Sequence, residues 1–184
     1  RGPDSTPAAR IAVLDELVSL AERAGDHRLV IDCERWRIAD LLEGGALAEA
    51  ERAAASLARR CAEWRLPLFR LHARLVDHTL VALRGRYDEL AAALADDDAG
   101  PLAALRPMTA QSWEASRLAL RLERGGLEMS EGPARAMLQL FPDSSLWRGV
   151  VSMLCAEQGR IDEARATLAS FASGAATLPR DALY

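Results

Sequence analysis

Glycines at positions 45, 85, 125 and 159 lie 40, 40 and 34 residues apart, and each is flanked by apolar-periodic runs. Three of them sit in related passages: "EGGALAEAERA" at 43–53, "RGRYDEL" at 84–90 and "EQGRIDEARATLASF" at 157–171. A glycine recurring at this interval, each time after one helical run and before another, limits the chain to stacked helix–turn–helix units. In "QGRIDEA" the glycine permits a tight turn, Ile161 is expected to cover it, and Asp162 and Glu163 suit the positive end of the next helix. Ala164 leaves room for the partner helix. The motif is a structural hinge rather than a catalytic loop.

The runs between these turns read as helices, and strand signals are nearly absent. Ile11, Leu14, Leu17, Val18 and Ala21 make a stripe over 7–24, with Thr6 and Pro7 as cap and first turn and Gly25 as stop. Further helices are expected over 28–43, 47–64, 67–83, 87–94, 109–124, 131–141, 144–158 and 161–173. The apolar residues of 28–43 cover more than one face, which requires neighbours on both sides. The polar run "ADDDAGP" predicts a connection over 96–108. The expected architecture is all-α, an α-solenoid of about nine helices in antiparallel pairs. It comprises a leader over 1–6, a repeat domain over 7–173 and a segment over 174–184 that begins a further helix.

Charge narrows the functions open to such a scaffold. All 23 basic residues are arginine, and the net charge is −4. A phosphate-binding loop of the G-x-x-x-x-G-K-[ST] type and Schiff-base chemistry both need a lysine, which this sequence lacks. An acidic balance argues against direct nucleic-acid binding, which depends on concentrated positive charge. No apolar run approaches the roughly 18 residues of a membrane span. Cys33, Cys61 and Cys155 are odd in number and far apart, so they read as small buried hydrophobes in a reducing, cytoplasmic setting rather than as disulfides or metal ligands.

"AEQGRIDEARATLASF" resembles the tetratricopeptide repeat at Gly159, Ile161 and Ala164, although the 40-residue intervals exceed that family's 34-residue unit. A narrower resemblance covers most of the chain. "LAERAGDHRLVIDCERWRIADLLEGG", "RLPLFRLHARLVDHTLVALRGRYDEL", "FPDSSLWRGVVSMLCAEQGRIDEARATL" and "LPRDALY" are similar to the helical-repeat region of large actinobacterial regulators. In those proteins a DNA-binding or cyclase module and a STAND-type ATPase precede the repeats. The resemblance implies a sensor or autoinhibitory arm of a transcription regulator, with the ATPase outside this segment. It also implies an inward face made by the first helix of each pair. On this chain that face carries Asp32, Arg35 and Ala39, then His72, Leu75 and Thr79, then Ser112, Ala115 and Ala119, then Leu146, Gly149 and Met153.

Other clusters have structural readings. His72 and His78, near Asp77, are six residues apart and so lie about 120° from each other on a helix, which disfavours a shared metal. Asp96, Asp97 and Asp98 lack the alternating spacing of a calcium loop and read as a solvated connector, so Asp97→Ala is expected to be nearly silent. No nucleophile motif surrounds the serines. Trp36, Trp64, Trp113 and Trp147 read as packing residues. The expected function is a non-catalytic scaffold without cofactor or metal, binding a protein, a peptide or other domains of its own chain. A stand-alone adaptor and an α-helical small-molecule sensor are the alternatives.

Overall fold

The computed structural model describes residues 6–65, 67–99 and 110–172. Among them the chain forms nine α-helices and no strand: α1 (Pro7–Ala24), α2 (His27–Glu43), α3 (Leu47–Glu63), α4 (Pro67–Leu83), α5 (Tyr87–Ala99), α6 (Ala110–Arg124), α7 (Glu131–Leu140), α8 (Ser145–Glu157) and α9 (Ile161–Ala172). One 3₁₀ turn, Leu127–Ser130, precedes α7. The protein is all-α. Residues 1–5 of the expected leader, 100–108 of the expected connection and the whole 174–184 segment lie outside the described residues.

The described residues divide into two compact units, one within residues 6–84 with 97–99 and the other within 85–96 with 110–172. In the first, helices pack in chain order, α1 on α2, α2 on α3 and α3 on α4. Its core joins Ile31, Ile38 and Leu41 of α2 to Ala50, Leu57 and Cys61 of α3 and to Phe69 and Leu80 of α4. In the second, α6 packs on α7, α7 on α8 and α8 on α9. Trp147, Val150, Val151, Leu154 and Cys155 of α8 form its centre, against Leu118, Ala134, Met137 and Ala164. Each fully buried side chain of this size contributes roughly 1.5–3 kcal/mol.

Local chemistry explains the helix ends. Thr6 caps α1 by accepting a hydrogen bond from the Ala9 amide at 3.2 Å, and Pro7 occupies the first turn where no amide donor is needed. Gly45 and Gly159 both sit at φ +75°, a left-handed conformation that side chains disfavour. Just after them the Ala46 amide donates to the Leu41 carbonyl and the Arg160 amide to the Cys155 carbonyl, both at 2.9 Å; Asp26 does the same to Ala21 after Gly25. This six-to-one bond satisfies carbonyls left over at the helix end. Gly25, Gly45 and Gly159 thus build one kind of turn, whereas Gly125 is followed by a second left-handed glycine, Gly126, and a 3₁₀ turn.

The same register predicts burial. The residue five places after each turn glycine is enclosed: Ala50, Leu90, Ser130 and Ala164 are at most 6% exposed. Ala164 carries out the expected role of a small side chain between helices, and its carbonyl accepts the Ser152 hydroxyl at 2.9 Å. Ile161 does not cover its turn, since it is 43% exposed.

The acidic run departs from expectation. The helix expected over 87–94 continues through Asp96, Asp97 and Asp98 to Ala99. Asp97 is 8% exposed rather than solvated. Positions 90, 94 and 97 share one face of a helix, so an aspartate continues the stripe begun by Leu90 and Leu94. Its carboxylate is met from α4 by Arg74 Nε at 3.1 Å and by His78 Nε2 at 3.1 Å. A buried charge with two partners does not break a helix.

Candidate functional site

In the first unit, Asp32 and Arg35 of α2 and His72 of α4 form one electrostatic cluster. The Arg35 guanidinium is half-buried, and its carboxylate contact is to Asp32 on its own helix at the long distance of 3.5 Å. Burial pulls the Arg35 pKa below its ordinary value, with Asp32 opposing. A cation in this position is stabilised by anything that brings a second negative charge.

His72 of α4 makes an edge-on contact to Phe69, ring centroids 6.0 Å apart. Its Nδ1 is buried and has no hydrogen-bond partner. Its pKa is pushed down to about 4 by burial first and by the Arg35 charge second, with Asp32 opposing. The imidazole is therefore neutral at physiological pH and offers a donor or an acceptor but no charge.

The other expected positions divide by environment. Ala39 is half-buried on α2, while Thr79 is exposed and donates its hydroxyl to the Leu75 carbonyl at 3.1 Å. Leu75 is buried at 9% exposure, so it belongs to the packing and offers a partner no surface. The reason is register: Leu71, Leu75 and His78 together form one of the two enclosed faces of α4, Phe69 and Leu80 lying on the other. In the second unit Ser112, Ala115, Ala119 and Gly149 are half-buried. Met153 and Leu146 are half-buried and pack against the core of that unit. Among these positions, the charges of Arg35 and Asp32 are felt at His72, whose Nδ1 is buried without a partner.

Glu34 is a neighbour that the sequence did not single out. Its Oε1 lies 3.2 Å from Arg60 Nε of α3, and its Oε2 is buried without a partner. Burial raises its pKa, with Arg60 acting in the opposite direction. Arg60 also binds Glu22 of α1 at 2.6 Å. Nothing in the spacing of 34 and 60 signals this meeting, which depends on α2 and α3 lying side by side. Cys61 is enclosed nearby, and burial pushes its thiol up to about 11, which leaves it an unreactive thiol.

His78 and Asp97 form the second polar centre of the unit. Burial lowers the His78 pKa despite the Asp97 carboxylate, so its contact with Asp97 is a neutral imidazole against a charge. His72 is half-buried while His78 is 1% exposed, in keeping with different faces of α4. Among the described residues no group of three or more histidine, cysteine or acidic side chains is placed to hold a metal ion. No helix among them is long and apolar enough to cross a membrane. No family model, curated protein or solved structure matches the chain.

Proposed function

We propose that this chain is a non-catalytic interaction scaffold of the helical-repeat kind, and that the α2–α4 surface around Arg35 and His72 receives a protein or peptide segment. The observation that carries this reading is the half-buried Arg35 guanidinium, whose single carboxylate contact is 3.5 Å long, beside an imidazole with an unpartnered buried nitrogen. A partner carboxylate on Arg35 would supply the missing charge, and a backbone amide or carbonyl would satisfy His72. Burial strengthens such contacts relative to open water.

The same reading places the chain as the C-terminal repeat region of an ATP-dependent, cytoplasmic transcription regulator. The sequence resemblance and the helical turns built on Gly45 and Gly159 support it. The partner is then another protein or another domain of the full-length regulator. Selection of peptides from a random displayed library against the intact chain tests the binding surface. Acidic peptides are expected, and Arg35→Glu should weaken them about tenfold or more. Selected peptides that bind Arg35→Glu and wild type equally would move the binding face elsewhere.

A further inference from the structure

α1 is apolar on two sides, about 120° apart around the helix. One side, with Ile11, Leu14, Val18 and Ala21, turns inward, and Ala21 is 2% exposed. The other presents Val13 at 57%, Leu17 at 36% and Leu20 at 46% exposure, continued by exposed Ala9 and Ala24. Positions 9, 13, 17, 20 and 24 advance by four, four, three and four residues, which keeps them in one stripe along the helix. A stripe of this length on one helix needs a neighbour.

The charges along its edge specify that neighbour. Glu16 and Arg23 flank the stripe on the same side, seven residues or about 10 Å apart. Both are exposed, and among the described residues neither has an ion partner; Arg23 donates only to Ser19 Oγ at 3.1 Å. A two-fold axis perpendicular to the helix keeps this flank aligned between two antiparallel copies of α1. With the axis near Val18 and Ser19, Leu17 falls opposite Leu20 of the copy and Val13 opposite Ala24. Glu16 then lies within about 3 Å, measured along the helix, of a position facing Arg23 of the copy, which an arginine spans easily. Parallel pairing would put the two charges on opposite flanks. The stripe is therefore complementary to itself in one orientation.

We infer that this face of α1 is a homodimer interface, closed by antiparallel α1–α1 packing with Glu16 and Arg23 paired across the two-fold axis. This stands apart from the partner-binding role proposed for Arg35 and His72. Sedimentation of the intact chain over a concentration series should show a dimer–monomer equilibrium, because one helix pair buries less than a standard stable interface. Leu17→Asp with Leu20→Asp should leave a monomer with unchanged helical circular dichroism. Glu16→Arg alone and Arg23→Glu alone should each raise the dissociation constant about tenfold, and the double exchange should restore it. A wild-type monomer at about 500 µM would overturn the inference. So would a dimer indifferent to the leucine changes, or one that the double charge exchange fails to rescue.

Discussion

The two compact units bury different polar chemistry. Among the described residues of the first, the enclosed polar side chains are ionisable: Asp40 at 1%, His78 at 1% and Asp97 at 8% exposure. In the second they are Ser130 and Ser152, at 3% each. The first unit inserts Arg10 of α1 onto Asp40 of α2 at 2.9 Å, and Arg74 and His78 of α4 onto Asp97. The second keeps its charges outside the core, in a ring where Glu131 and Glu163 each bind Arg135 and Arg160 at 2.5–2.8 Å. Buried ion pairs specify geometry but stabilise little net, and breaking one leaves an uncompensated charge. Partly exposed pairs contribute less and are screened by salt.

The contrast can be broken first at the apolar centre of the second unit. Trp147→Ala removes a side chain that is 1% exposed and hydrogen-bonded through Nε1 to Gln111 at 3.1 Å. Denaturant unfolding should show a loss of about 3–5 kcal/mol. In the first unit Asp97→Ala should cost about 1–3 kcal/mol by the same measurement, because it leaves the buried His78 imidazole without its acceptor. A loss below about 0.5 kcal/mol would return Asp97 to the class of solvated surface residues. Ala164→Phe, where the side chain must fit between α8 and α9, should cost about 1–3 kcal/mol in a thermal melt.

Acid separates the units more finely. His72 is held neutral in the folded protein, with a pKa near 4 against 6.5 unfolded. Stability is therefore complete above about 6.5 and declines as pH falls towards 4, because the unfolded chain takes up the proton first. Between about pH 7 and pH 5 the loss is at most about 2 kcal/mol, and His72→Leu should flatten it. Glu131 acts in the same direction but in a lower window: hydrogen bonds from Arg135 and then Arg160 push its carboxyl down to about 2. Its contribution is complete above about 4.5 and is lost as pH falls towards 2. Amide exchange should thus show the first unit losing protection at a higher pH than the second. The smallest effect is expected from Glu131→Gln, a shift in melting temperature that disappears in about 1 M salt, where screening reaches about 3 Å.

Much of the helical layout was legible because its signals are local. Thr6 with Pro7 and the left-handed glycines mark ends through bonds made within a few residues of each boundary. The buried tryptophans 113 and 147 and the three buried cysteines were equally readable, since bulky or small apolar side chains at helical spacing seek an interior. The candidate site was legible only in part. Asp32 and Arg35 meet on α2 and their charges act on His72, whereas Leu75 is buried in the packing and Met153 is half-buried against a core. Asp97 misled because three consecutive aspartates look like a turn in one dimension.

By itself the sequence determined an all-α chain punctuated by glycine turns, since periodicity and capping are properties of neighbouring residues. Tertiary structure decided which charges went inside and which stayed out. Arg74 and His78 make a buried Asp97 tolerable, and Arg10 does the same for Asp40. These partners are 23, 19 and 30 residues away along the chain. The free energy of a buried charge depends on what another helix brings to it, and that is fixed only when the helices meet.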